Sequence, residues 1–226
     1  MSKVFKVNYS TGKTIDKYKA RYNKSIQDNN LFWGDVSKRI SWFKPWNNIS
    51  NVDYNSASVR WYEGGSLNAS YNCIDRHVLS GYGEKTAIMW EGNDSNDAIK
   101  ITYDQLLNRV SKFANGLKSI GVRKGDRVCI YMQMIPELAV AMLACSRIGA
   151  VHSIVFGAFS SDSLADRIND SNCNVLITQD TGVRGTKLDI PMKVNADKAV
   201  SKCPSIDNVI VVKRTGAEVC MEDDRD

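Results

Sequence analysis

Histidine is the scarcest chemistry-bearing residue in this chain of 226: only His77 and His152 are present. Cysteine is more common, at positions 73, 129, 145, 173, 203 and 220, but no Cys-x-x-Cys pair or Cys/His cluster appears. The paired spacings of a zinc site are therefore missing, and no metal centre is expected. The first 27 residues contain no apolar h-region, so a secretory signal is not expected. Without secretion the even cysteine count does not argue for disulfides, and a reduced, cytoplasmic setting is favoured. A mitochondrial leader is disfavoured by the excess of Lys over Arg and by Asp16. No apolar run reaches the ~18 residues of a membrane span. GxGxxG and GxxxxGK[ST] are both lacking, which removes the Rossmann and Walker phosphate sites. GxSxG is lacking too, so Asp75, Arg76 and His77 do not read as part of a hydrolase triad. They read as an ionic pin, and His152, inside an apolar run, as a core residue.

What remains is an ordinary globular composition, with 43% hydrophobic and 24% charged residues. The length suits one large domain or one domain plus an extension. Net charge is +5, and much of it lies in Lys3, Lys6, Lys13, Lys17, Lys19, Arg21 and Lys24. This reads as a solvated terminus. No basic face is visible, so nucleic acid is not an expected partner.

Residues 1–75 read as an irregular N-terminal extension. Residues 16–26 have helical potential, and 32–42 carry Phe32, Val36, Ile40 and Trp42 at mixed helical spacing before Pro45. Residues 47–54, rich in Asn and Ser, read as a loop. The stretch has too little apolar periodicity to fold alone. It is expected to wrap on the following domain, with Trp33, Trp42, Trp46 and Trp61 as packing anchors.

From residue 86 the pattern becomes regular. Residues 87–90 and 99–102 are short strand candidates. Thr102 and Gln105 form a capping-box pattern, followed by an apolar stripe through Leu117 and a closing Gly121. Strands follow at 127–132, 151–156, 174–178 and 209–213. Helices between them open at Pro136, closed by Gly149, and at Ser160 or Ser161, with a weaker one near 195–202. Continuously apolar strands alternating with helices predict an α/β layered domain over 76–226, its mostly parallel sheet covered on both faces. Right-handed crossovers bring the loops after the strand C-termini to one edge, where open α/β sheets bind ligands. Two loops stand there, 157–160 and 179–187.

The second loop, QDTGVRGTK, places Arg184 and Lys187 around Gly185 and Thr186. Arg offers planar bidentate donors to phosphate, and Lys a point charge. The pattern suits a phosphorylated ligand; by itself it also suits a solvated turn, the commoner occurrence. In FGAF, 156–159, Phe156 suits the core, and the backbone at Gly157 is bare enough to lie against a planar ring.

Residues 60–77, RWYEGGSLNASYNCIDRH, mix aromatics, glycines and hydrogen-bonding side chains without helix or strand period. The segment resembles the signature of the acetyl-CoA synthetase family, the AMP-forming acetate–CoA ligases of the adenylate-forming enzyme superfamily. Residues 100–132 and 147–180 are similar to that family almost position by position, and 22–33 and 42–46 resemble its N-terminal extension. The resemblance implies a large N-terminal domain and a small mobile C-terminal one. It implies a two-step reaction, in which acetate and Mg-ATP give acetyl-adenylate and pyrophosphate, and coenzyme A then takes the acetyl group. The implied small molecules are acetate, ATP with Mg2+, and coenzyme A. By the same resemblance Arg184 and Lys187, with Gly185 and Thr186 between them, meet the 3′-phosphate end of coenzyme A, while Phe156 and Gly157 border its adenine. Thr186 departs from the small residue common there. The family's phosphate loop, ATP-binding aspartate and arginine, acetate pocket and adenylation lysine have no counterpart here. The chain is therefore expected to be the N-terminal portion, truncated before the phosphate loop, inactive alone and without a catalytic residue. Two alternatives stand beside this: a non-enzymatic coenzyme A-binding module, and a ligase for propionate or another short acid. Oligomeric state is left open.

Overall fold

The computed structural model describes residues 11–94 and 96–226, with side chains from Thr14 onward. It divides into two compact units, Met1–Leu67 and Asn68–Asp226.

In the first unit, helices α1 (Thr11–Gln27) and α2 (Asn29–Ser37) precede an antiparallel pair, β1 (Asn48–Asp53) and β2 (Ser58–Glu63). Asp28 caps α2, its carboxylate accepting from Leu31 N–H at 2.9 Å. α2 ends well before Pro45 because the Trp42 indole N–H donates to the Ser37 carbonyl at 3.0 Å, satisfying an end-of-helix acceptor. The expected loop at 47–54 is instead strand β1. Its Asn-rich backbone is paired by β2, and the Asn48 and Asn51 amides reach Glu63 at 3.3 and 3.4 Å. Partner pairing here overrides weak strand propensity. The aromatics pack on one another: Trp42 lies 5.0 Å from Trp46 and 5.3 Å from Tyr62, and Trp33 lies 6.0 Å from Trp61. A side chain at Gly65 would meet the Trp42 ring at 2.7 Å, so that glycine is set by aromatic packing.

The second unit opens with two π-helical turns, Tyr71–Asp75 and Val78–Tyr82, the first of them inside the stretch 60–77 where no helical period was legible. Asn68 explains the start: it accepts from Tyr71 N–H at 3.1 Å and donates to the Ser146 and Arg147 carbonyls at 3.0 and 3.1 Å. Asp75 then takes a bidentate ion pair from Arg147, at 2.8 and 2.9 Å. An antiparallel pair follows, β3 (Thr86–Glu91) and β4 (Ala98–Thr102). The capping box forms as expected, with Gln105 N–H on Thr102 Oγ1 at 3.3 Å and Thr102 N–H on Gln105 Oε1 at 3.0 Å. It starts α3 (Tyr103–Ser119), whose Leu106, Val110, Ala114 and Leu117 are buried.

The remaining elements are β5 (Arg127–Met132), α4 (Pro136–Ile148), β6 (Val151–Phe156), α5 (Ser161–Ser171), β7 (Val175–Gln179), β8 (Gly182–Arg184), β9 (Lys187–Ile190), α6 (Met192–Val200) and β10 (Asn208–Val212). β10, β7, β5 and β6 form, in that order, a fully parallel sheet. Alternate residues of β5 face opposite cores. Val128, Ile130 and Met132 pack with α3 and α4, while Cys129 and Tyr131 pack with Leu164 and Ile168 of α5 and Met192 of α6. The α/β class and the two-sided burial match the apolar strand pattern. The difference is the pair β8–β9, a hairpin where a loop was expected. No described helix is long and apolar enough to cross a membrane.

Candidate functional site

A cleft of about 1460 Å³ opens at the C-terminal end of the parallel sheet. The segments after β3, β5, β6, β7 and β10 contribute to it. All six positions singled out in the sequence, Phe156, Gly157, Arg184, Gly185, Thr186 and Lys187, line it.

The cations sit on the β8–β9 hairpin. Arg184 and Lys187 are register partners, so Gly185 and Thr186 are its two turn residues. Gly185 has φ +58° and Thr186 is not left-handed, the arrangement of a II′ turn. This is why glycine stands first. Thr186 takes the second place, where no positive φ is required, and its branched side chain is exposed at the tip. Arg184 and Lys187 are exposed as well, their charges free to meet a ligand.

The end of β6 lines the same cleft. Phe156, expected in the core, is instead 57% exposed at the strand end. β6 is the edge of the sheet among the described residues, and its alternate side chains Ile154 and Phe156 are not covered. A Cβ at Gly157 would stand 3.2 Å from the Met132 carbonyl oxygen and 3.1 Å from Met192 Cε, so glycine there lets the turn close onto β5. The buried Tyr131 hydroxyl fixes the same turn, 3.0 Å from the Phe159 carbonyl and 3.3 Å from that of Gly157. Burial pushes the Tyr131 phenol up, so it remains a neutral donor.

A third wall escaped the sequence reading. Arg214, just after β10, lays its guanidinium 5.0 Å over the Trp90 ring and pairs with Asp97 at 2.6 Å. Trp90 is held by its own indole N–H, which donates to the Met134 carbonyl at 2.7 Å. The loop carrying Arg214 is tied down by Asp180, 2% exposed. The Asp180 carboxylate accepts from the backbone N–H of Thr181 at 2.7 Å, Arg214 at 3.0 Å, Thr215 at 3.1 Å and Gly216 at 2.8 Å. Burial alone pushes its pKa up, but those four donors together outweigh burial and hold it below the ordinary carboxylate value. The signal was present in the sequence: an Asp closing an apolar strand, and Arg-Thr-Gly after the last one. Hydropathy gives such residues no weight.

Cations on a hairpin and an exposed ring lining one cleft can hold a ligand that carries both a phosphate and a flat heterocycle. Among the described residues no group of three or more His, Cys, Asp or Glu could hold a metal ion.

Residues 75–225 match the family described as AMP-binding enzyme, and residues 18–73 match acetyl-coenzyme A synthetase N-terminus. Acetyl-coenzyme A synthetase 2 of Pseudomonas putida is 50% identical over 220 residues, covering 97% of this chain and 34% of its own length. Acetyl-coenzyme A synthetase of Saccharophagus degradans is 53% identical over 212 residues, covering 93% and 33%. Among solved structures, acetoacetyl-CoA synthetase from Streptomyces lividans superposes with a TM-score of 0.80 at 23% identity, over 90% of this chain and 31% of that one. The chain thus spans about a third of the length of the curated relatives it matches.

Proposed function

The chain belongs to the AMP-binding enzymes, and from that premise we propose that it is the N-terminal portion of an AMP-forming acetate–CoA ligase. The observation that carries the reading is the succession of two matches along one chain: an acetyl-coenzyme A synthetase N-terminus, then an AMP-binding domain. In the proposed reaction an acetate oxygen attacks the α-phosphorus of Mg-ATP and pyrophosphate leaves. The coenzyme A sulfur then attacks the carbonyl carbon of acetyl-adenylate, and AMP leaves. The reading takes ATP with Mg2+, acetate and coenzyme A as small-molecule partners, and the cytoplasm as the compartment. Residues 1–75 are assigned to the N-terminal extension and 76–226 to the first part of the AMP-binding domain.

This chain's own share is the coenzyme A end. Arg184 supplies a fork of donors and Lys187 a point charge to the 3′-phosphate. Gly185 and Thr186 form the turn that spaces them, and Phe156 with Gly157 borders the adenine. What supports the assignment is the meeting of all six in one cleft, with both cations exposed. Bond making is assigned to other parts of the enzyme, so residues 1–226 by themselves are expected to be inactive.

The test is ATP–pyrophosphate exchange by the full-length protein. Exchange that requires acetate and is strongest with it is expected. Exchange only with propionate or longer acids would move the assignment to a neighbouring ligase, and no exchange with any short carboxylate would refute it.

A further inference from the structure

We propose that Gln133 and Gln179 are positioning residues whose side-chain amides set the β8–β9 hairpin, and so place Arg184 and Lys187 at the cleft. The inference rests on the reading of that cleft as a coenzyme A site.

The hairpin needs such a device. Residues 184–189 are exposed, so apolar burial holds it only at its base, where Ile190 packs on the second core, and an isolated two-stranded hairpin is marginal in water. Its register also shifts between Gly182 and Arg184. What replaces a third strand is the Gln133 side chain. Its Oε1 accepts from Val183 N–H at 2.9 Å, and its Nε2 donates to the Val183 carbonyl at 3.2 Å. One carboxamide thereby satisfies both backbone groups of the residue just before Arg184, as a neighbouring strand would.

Gln133 is itself fixed from the sheet. Its backbone N–H donates at 2.8 Å to Oε1 of Gln179, the fully buried last residue of β7. Gln179 Nε2 donates to the Thr181 carbonyl at 2.9 Å and lies 3.5 Å from Gln133 Oε1. The two amides link the ends of β5 and β7 to the root of the hairpin. Gly182 makes room for them: a Cβ there would stand 2.7 Å from both Cδ and Oε1 of Gln133. At the other end, Asn93 Nδ2 donates to the Gly185 carbonyl at 2.5 Å. The hairpin is thus gripped at root and tip by directional bonds, which fix orientation as well as contact.

In the full-length protein, Gln133→Leu keeps approximate volume and removes both bonds to Val183. It is expected to raise the KM for coenzyme A about tenfold, on the scale of one lost directional contact. ATP–pyrophosphate exchange should be unchanged, and amide hydrogen exchange at Val183 should quicken. Gln133→Glu keeps the acceptor for Val183 N–H but turns a carboxylate oxygen toward the Val183 carbonyl, so its KM should rise at least as much as that of Gln133→Leu. Should Gln133→Leu not fold, Gln133→Glu carries the same test. In an Arg184→Ala/Lys187→Ala background the Gln133 substitution should add nothing, because what it positions is gone. Faster exchange at Val183 with an unchanged KM would overturn the proposal. So would a KM increase that persists without the two cations. Failure of the underlying reading looks different: Arg184→Ala/Lys187→Ala would itself keep the wild-type KM, and the inference would fall with it.

Discussion

The β8–β9 hairpin follows directly on β7, a strand of the four-stranded parallel sheet, yet hairpin and sheet are stabilised by opposite means. In the sheet, Leu176 and Ile177 point into two separate cores and are 0% exposed. Its stability comes from area removed from water, which is large and indifferent to direction. In the hairpin, Leu188 is 66% exposed and the holding groups are the amides of Gln133, Gln179 and Asn93. Hydrogen bonds add little net free energy but fix where a group points. The lesson is a division of labour: apolar burial makes the platform, and a few polar contacts aim the ligand-facing cations.

The comparison breaks if damage to the two regions looks alike. The largest expected effect lies in the sheet. Ile177→Ala should cost about 3 kcal/mol of unfolding free energy, measured by urea titration, while the coenzyme A affinity of the folded fraction is kept. A loss below about 1 kcal/mol would mean the core is not the platform. Next comes the junction. Asp180→Asn keeps one acceptor oxygen but turns an amide N–H₂ toward backbone donors, and should cost about 2 kcal/mol. The folded carboxyl titrates below its ordinary 3.8, so its contribution is full above that value and is lost as pH falls through the lowered pKa. The stability gap between wild type and Asp180→Asn should therefore be widest near neutrality and shrink below about pH 4. A gap independent of pH would contradict the four-donor arrangement. The smallest effect is local: Thr102→Ala removes one half of the α3 capping box and should cost about 1 kcal/mol.

Much of the platform was legible in the sequence, and for one reason. Apolar runs such as VCIYM and NVLIT, and the stripe Leu106, Val110, Ala114 and Leu117, record burial, which is how the sheet and α3 are held. Thr102, Pro136 and Gly149 marked helix ends because caps act through local backbone chemistry. Strand β1 was read as a loop because its stability lies in β2, a partner that propensity does not see. The hairpin was missed for the same reason at longer range: its pairing partner includes a side chain, Gln133, about fifty positions away. In the cleft, the cations and FGAF stood out as unusual residues at strand ends, whereas Gln179, Asp180 and Arg214 act through hydrogen bonds and stacking that no periodicity records.

The measurement closest to the central claim is the kinetics of Arg184→Ala in the full-length protein, with both half-reactions followed separately. The account predicts a KM for coenzyme A raised about tenfold or more, for the loss of a bidentate phosphate contact, with acetate-dependent ATP–pyrophosphate exchange unchanged. An unchanged KM, or an equal fall in the exchange reaction, would contradict the assignment of the hairpin to coenzyme A.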